Sequence, residues 1–424
     1  MKILVLDGDQ NQAVACVRSL ARQGHEVRVG ESRGWSKAGW SGFSAGSFQY
    51  ASPQSNQKQF LDDLVTQCRK EPGTLVLPMT ETSTLVISAN RHVLADAGAR
   101  FVLPEHSDLL RAVDKSQTTA LAQSLGIVVP KTVTLYLREP IPATIEALRF
   151  PLVIKPRTSS ESSTPGTMRA TGRPRYARDI AELRTMHSEM GGHCSSVVVQ
   201  EFVEGAGTGY FALMNHGEVR AEFAHRRIRD AHPTGSGSAL RESVALDPEI
   251  RQLSRAMLRA LNWHGVAMVE FRLRADGIPV FLEVNGRFWH SLALACHAGV
   301  DFPALLAKMA EFGDVETPPP YRIGVRCRWL LGDFRHLVEV WMGRPQGYPG
   351  YFPDRWSTLL AELTPHAGTF HDNFVWHDPL PELGDWICFA RQIWQKQNPH
   401  EQEAGQKRRA EAQPRPEPKQ RGVQ

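Results

Sequence analysis

Long apolar runs are missing from this 424-residue chain. None approaches the ~18 residues of a membrane span, so no transmembrane segment is expected. Paired cysteines are missing too. Cys16, Cys68, Cys194, Cys296, Cys327 and Cys388 are scattered with no Cys-x-x-Cys, which predicts reduced, mostly buried thiols. The N-terminus enters the apolar run Ile3-Leu4-Val5-Leu6 at once, unlike a secretory leader, and a cytoplasmic protein is expected. A charge excess is also lacking. The net charge is +4, and residues 396–424 hold seven basic and four acidic residues, leaving +1 on the rest. A near-neutral body argues against nucleic acid as a partner. Two phosphate signatures are absent. The turn after the first apolar run is Asp7-Gly8-Asp9-Gln10-Asn11 rather than G-x-G-x-x-G, and two acids there would repel a pyrophosphate. No G-x-x-x-x-G-K-[ST] occurs in the chain.

What is present is an ordinary globular composition, 42% hydrophobic and 22% charged, in a chain long enough for two or three domains. Residues 1–32 read as strand, helix, strand, the start of a parallel α/β sheet. Thr74 to Pro78 reads as a buried strand that runs into Met79-Thr80-Glu81-Thr82-Ser83. Open α/β sheets place ligands at such a carboxyl end, so Glu81 is a substrate-site candidate, with a helix N-cap at Thr80 or Thr82 as the other reading. Phe150 to Arg157 is a strand that carries Lys155 near its end, followed by the hydroxyl-rich loop Thr158 to Thr167. A mobile loop beside a lysine can close over phosphates. His225-Arg226-Arg227-Ile228-Arg229 precedes the Gly/Ser turn Pro233 to Ser238. Guanidinium groups beside such a turn read as an anion site, with Arg227 and Arg229 as catalytic candidates.

The most informative stretch is Met268-Val269-Glu270-Phe271-Arg272, then Asp276-Gly277, then Phe281-Leu282-Glu283-Val284-Asn285-Gly286-Arg287. It reads as a β-hairpin. With Asp276-Gly277 as its turn, Glu270 and Glu283 fall directly opposite, Asn285 and Arg287 share the face of Glu283, and Leu282 and Val284 point into the core. Like charges directly opposite are destabilising, so the pair calls for a cation. Oxygen ligands from Glu270, Glu283 and Asn285 suit Mg²⁺ or Mn²⁺, completed by nucleotide phosphates.

Taken in order, these segments resemble the ATP-grasp superfamily: Asp114-Lys115, the strand ending in Lys155-Pro156 with its loop, Gln200-Glu201-Phe202-Val203-Glu204-Gly205, and the two hairpin strands through Trp289. The likeness is to the carbamoyl-phosphate-synthase-like and carboxylate–amine ligase-like members, over residues 1 to 312. It implies α/β and α+β architecture. A Rossmann-like pre-ATP-grasp domain (1–105) would precede a two-lobed ATP-grasp domain (106–312), a mostly helical, Trp-rich extension (313–396) and a disordered tail (397–424). It also implies that Lys115 and Lys155 touch ATP phosphates, that Gln200, Glu201 and Val203 form the adenine hinge, and that Glu270, Glu283 and Asn285 hold Mg²⁺. Arg287 would steady the reacting phosphoryl or acyl-phosphate oxygen. Where many members place an acid for the ribose, Thr208-Gly209 stand here, and Glu204 is the substitute.

The implied activity is ATP-dependent activation of a small-molecule carboxylate as an acyl phosphate, then attack by an amine. A non-catalytic ATP-binding module and a kinase without ligation are the alternatives, and a homodimer is left open. Six tryptophans (Trp329, Trp341, Trp356, Trp376, Trp386, Trp394) lie after Pro320, in a segment expected to be helical from Val325 to Met342 and to pack them against the body.

Overall fold

Among the described residues, three sheets of four or more strands and one two-stranded hairpin carry the fold. The computed structural model describes residues 1–397 except 165, 171, 173, 191–193, 346 and 365. The expected disordered tail therefore lies, beyond Gln397, outside the described residues, as does part of the loop after Lys155.

The first sheet is built from β1 (Lys2–Val5), β2 (Glu26–Glu31), β3 (Gly46–Gln49) and β4 (Leu75–Leu77), all parallel in the order β3-β2-β1-β4. Helix α1 (Asn11–Arg22) lies between β1 and β2, α2 (Gln57–Lys70) between β3 and β4, and α3 (Glu81–Ala89) and α4 (Arg91–Asp96) follow β4. The strand order reverses between β1 and β4, the crevice where such sheets take ligands. Asp7 sits there at φ 55°. Its carboxylate accepts from the N–H groups of Met79 and Thr80 (3.0 and 2.9 Å) and from the hydroxyls of Ser83 and Tyr50 (2.6 and 2.9 Å). This ties the two strand ends together. Thr80 is the N-cap of α3, paired with Ser83 in a capping box, and Glu81 is the first residue of the helix.

After α5 (His106–Val113) and α6 (Lys115–Ser124) comes an antiparallel lobe. It comprises β5 (Thr132–Tyr136), β6 (Leu152–Pro156), the hairpin β7 (Ser160–Thr164) and β8 (Thr167–Ala170), β9 (Arg175–Ala177), α7 (Ile180–Met190) and β10 (Ser196–Glu201). Its sheet runs β5-β10-β6-β9. The hydroxyl-rich segment after Lys155, expected as a loop, is largely the β7–β8 hairpin. Its turn rests on the first domain: the Met168 N–H donates to Gln54 O (2.7 Å) and the Gln57 N–H to Gly166 O (3.0 Å).

The third sheet has seven strands: β11 (Ala206–Asn215), β12 (Glu218–His232), β13 (Ser236–Ser243), β14 (Gly265–Leu273), β15 (Pro279–Asn285), β16 (Arg326–Arg328) and β17 (Phe370–His371). Their order is β15-β14-β11-β12-β13-β16-β17. Helix α8 (Pro248–Ala260) precedes β14, and α9 (Leu292–Ala298) and α10 (Phe302–Phe312) follow β15. One apolar core joins Val14, Val17 and Leu20 of α1 to Phe211, Phe223, Trp289, Leu292 and Leu306, so the first and third sheets are fused.

The C-terminal segment departs from expectation in two ways. Arg326–Arg328 is a strand rather than helix, because the open edge of β13 captures it before α11 (Leu330–Met342) begins. The segment then continues through α12 (Arg355–Leu363) to α13 (Leu380–Gln397). Nor do the tryptophans mainly pack inward. Trp329 is buried, but Trp341, Trp356, Trp376 and Trp394 are exposed.

Polar groups latch this segment to the body instead. Arg18 of α1 donates to the Asp378 carboxylate (2.8 Å) and to the carbonyls of Asn373 and Asp378 (2.6 and 2.8 Å). Lys37 meets Asp385 at 2.7 Å, and Arg241 pairs with Asp372 with both side chains fully buried. Removing one partner of a buried pair leaves the other charge uncompensated. Asp378→Ala is expected to lower the unfolding free energy by about 3–5 kcal/mol, read by denaturant titration. A loss below about 1 kcal/mol, the scale of a surface pair, would show that the latch does not hold the segment.

Candidate active site

A cavity of about 350 Å³ lies between the antiparallel lobe and the third sheet. Its wall includes Lys115, Lys155, Gln200, Glu201, Val203, Arg227, Glu270 and Glu283. Lys115 is placed by α6, whose N-cap Asp114 accepts from the N–H groups of Ser116 and Gln117. Arg157, just after β6, forks onto the same carboxylate, and the Lys115 N–H donates to Arg157 O (3.0 Å). Burial opposes the charge of Asp114, but these hydrogen bonds outweigh it and hold its pKa well below the usual carboxylate range. The start of α6 and the end of β6 are thereby one unit. Lys155 faces the same space from β6. Burial pulls its pKa down, against the attraction of Glu283.

Glu270 and Glu283 are paired across β14 and β15, as the residue pattern implies. The route to that register differs from the simple hairpin. Beyond Glu270 the ladder runs Phe271↔Phe281, Arg272↔Val280 and Leu273↔Pro279, so Leu282 is an unpaired bulge residue. The turn is correspondingly offset, with the Arg274 N–H donating to Ile278 O (3.1 Å) and the Gly277 N–H to Arg274 O (3.0 Å). The two departures cancel at the glutamates. The bulge also turns Leu282 into the cavity wall instead of the core. Gly286 follows Asn285 because a Cβ there would stand 2.5 Å from the buried Trp263 ring.

Cations bracket the opposed carboxylates. Arg227 Nη2 lies 2.8 Å from Glu270, and Lys115 Nζ lies 3.8 Å from Glu283. Asn285 Nδ2 donates to Glu283 (3.1 Å), leaving its Oδ1 as a further oxygen donor. Burial raises the pKa of Glu270, with Arg227 opposing and Glu283 adding to the rise. Glu283 is lowered: burial acts upward, but Lys115, Lys155 and the Asn285 hydrogen bond prevail. Among the described residues no three His, Cys, Asp or Glu side chains gather as a closed metal cage. The all-oxygen set of Glu270, Glu283 and Asn285 fits a hard divalent cation that takes its remaining ligands from elsewhere.

The other candidates divide. Glu204 lines a second cleft of about 920 Å³, which shares Pro130, Glu201, Phe202 and Val203 with the first. Glu201 also accepts from the Arg149 N–H (3.0 Å), and Gln200 Nε2 donates to Thr132 (3.1 Å). Arg287 donates to Phe288 O (3.0 Å) and lies near Glu81. Burial raises the pKa of Glu81, while Arg287 and Lys115 pull it back, so this residue both opens a helix and faces the cationic side of the site. Arg226 pairs with Glu242 on the surface. Arg229 is turned away, held by Asp333 (2.6 Å) and Glu362 (3.1 Å), so the expected three-arginine anion site reduces to Arg227. Residue order misses Arg272 and Tyr176, which line the cavity from β14 and β9. Arg272 closes the Met268–Arg272 run, but the pattern there singles out only Glu270, and Tyr176 belongs to no such run.

Residues 193–332 match the family described as "ATP-grasp in the biosynthetic pathway with Ter operon". The D-alanine--D-alanine ligase of Cupriavidus pinatubonensis is 24% identical over 226 residues, which cover 49% of this chain and 66% of that one, just under two thirds of its length. The L-amino acid ligase of Bacillus licheniformis superposes with a TM-score of 0.56 at 16% identity, covering 74% of this chain and 75% of that one. Biotin carboxylase of Campylobacter jejuni gives 0.61 at 13%, covering 76% and 74%. The fold is ATP-grasp. In ATP-grasp terms the antiparallel lobe and the third sheet are the two halves of the grasp.

The separation of the two arginines is testable. Arg229→Ala, which leaves Arg328 as the remaining cation on the buried Asp333, is expected to lower stability by about 1.5–3 kcal/mol and leave nucleotide affinity unchanged. Arg227→Ala is expected to change the dissociation constant for ATP or ADP by tenfold or more, about 1.4 kcal/mol, measured by calorimetry alongside melting curves. The opposite pattern would place Arg229 rather than Arg227 in the site.

Proposed function

We propose that this chain is an ATP- and Mg²⁺-dependent ligase that activates a carboxylate as an acyl phosphate for attack by an amine. One observation carries the reading. A single cavity is lined by two lysines, a hinge segment and two opposed carboxylates drawn from separate parts of the chain. A carboxylate is a poor electrophile because its leaving group would be oxide. Transfer of the γ-phosphoryl group to it gives ADP and an acyl phosphate. Attack by the amine then forms the amide bond and releases phosphate.

Phosphoryl transfer asks the protein mainly for positioning and charge. Lys115 and Lys155 supply point charges toward the phosphates, and Gln200, Glu201 and Val203 set the base against the hinge. Glu204, just past the hinge and on the adjoining cleft, is the acid for the ribose. Glu270, Glu283 and Asn285 would hold Mg²⁺, whose positive charge would offset the negative charge on the oxygens of the transferred phosphoryl group. Arg227 opposes the rise that burial imposes on the pKa of Glu270, and Arg287 steadies the reacting oxygen. Glu81 offers a negative charge to the incoming ammonium group from the first domain. The D-alanine--D-alanine ligase and L-amino acid ligase relatives support small amino acids as the first substrates to try.

The test is ADP release in the presence of paired carboxylates and amines. Release that requires both and yields an amide supports ligation. Release with a carboxylate alone and a stable phosphorylated product would make the protein a kinase, and no substrate-dependent release would make it a binding module. Lys155→Ala is expected to weaken ATP binding by tenfold or more, about 1.4 kcal/mol, with the melting temperature retained. Unchanged ATP affinity in calorimetry would remove Lys155 from the site.

A further inference from the structure

We propose that the loop between α11 and α12 is a strap that positions the nucleotide cavity, with Tyr348 as its positioning residue. The inference rests on the reading of that cavity as the ATP site. The loop belongs to the C-terminal segment, yet it reaches across to the antiparallel lobe. Tyr348 is buried although it stands among glycines and prolines. Its ring lies 5.1 Å from that of Tyr176 and 6.2 Å from that of Phe202, both edge-on. Tyr176 and Phe202 are themselves edge-on at 6.2 Å, which closes a triangle of rings. Such pairs add directional attraction to the area they bury.

The two rings that Tyr348 touches are both cavity wall. Phe202 lies inside the hinge, between Glu201 and Val203, and its N–H donates to Pro151 O (3.1 Å) beside β6. Tyr176 lies on β9, and its hydroxyl donates to Thr234 O (3.1 Å) in the Gly/Ser turn across the cavity. The triangle thus holds the hinge, the lobe that carries Lys155 and the opposite wall in one arrangement.

The loop is shaped for this contact. Arg344 donates to Tyr348 O (3.0 and 2.7 Å) and to Gly350 O (3.1 Å), folding the segment back on itself. Gly350 has no room for a side chain: a Cβ would lie 2.6 Å from the Tyr348 hydroxyl oxygen and 3.0 Å from the Phe202 ring. A Cβ on Gly347, already at φ 78°, would lie 3.1 Å from Tyr176 O. Loops are ordinarily free surface connections. This one is tied at both arms against the cavity wall, so the lobe should adopt its ATP-ready position before ATP arrives.

The experiment compares the full-length protein with Tyr348→Ala, Tyr348→Phe and Gly350→Ala. It measures the dissociation constant for MgATP by calorimetry and amide hydrogen exchange without nucleotide. Loss of ring contacts in Tyr348→Ala, or their displacement in Gly350→Ala, is expected to raise the dissociation constant roughly tenfold. Exchange across residues 152–156 and 175–177 should quicken in both. Tyr348→Phe, which keeps the ring, should stay within about twofold of the parent. A folded Tyr348→Ala protein with parental MgATP affinity and parental exchange would overturn the proposal. If that variant does not fold, Gly350→Ala decides by the same two readouts. If the parent binds no MgATP, the reading of the cavity fails, and exchange alone then judges the strap: quicker exchange supports it and unchanged exchange overturns it.

Discussion

Two carboxylates forced to face each other set the terms for the rest of this structure. Glu270 and Glu283 are locked opposite by backbone pairing, so neither can escape by a change of rotamer alone. Like charges at such positions repel. The fold surrounds them with cations from separate elements: Arg227 from β12, Lys115 from α6 and Lys155 from β6. Each cation in turn needs its own support. Lys115 depends on the Asp114 cap and the Arg157 fork, and Lys155 on a lobe held against the third sheet. Charge balance at one strand pair thus links the lobes of the grasp, and it prepares the place where phosphates and a divalent cation are proposed to enter.

The bulge at Leu282 shows how local irregularity serves that balance. A regular hairpin would send Leu282 to the core. One extra residue keeps the glutamates paired while exposing Leu282 to the cavity. The C-terminal segment works at a larger scale. Its Asp372, Asp378 and Asp385 neutralise Arg241, Arg18 and Lys37, charges that the body buries. Buried charges tolerate the interior only when paired and hydrogen-bonded. The segment is therefore part of the folded unit, and its strap brings it to the cavity.

The sequence makes local pattern legible and leaves distant pairing hidden. Alternating apolar residues around Asp276-Gly277 point to the Glu270–Glu283 pair, and the Lys115, Lys155 and hinge motifs fall along the same cavity, because spacing within a strand or turn dictates direction. The partners of Arg229, Asp333 and Glu362, lie more than a hundred residues away, so a run of three arginines looks like one anion site although its members face different acids. The same distance hides the latch between Arg18 and Asp378. The tryptophans mislead for another reason. Aromatic content alone does not say which face of α11 or α12 meets the body, and Trp341 and Trp356 pack on each other at the surface instead.

The opposed glutamates are proposed to be maintained for a cation and not for the fold. Glu283→Gln keeps the side chain's size and removes one negative charge. The decisive measurement is Mg²⁺-titrated ADP release by this variant, with its melting curve recorded without metal. Loss of turnover by orders of magnitude is expected, from an apo protein that still folds and melts cooperatively although Lys115 and Lys155 lose a counter-charge. Parental Mg²⁺-dependent turnover with a lowered melting temperature would contradict it and make the pair a structural feature of the hairpin.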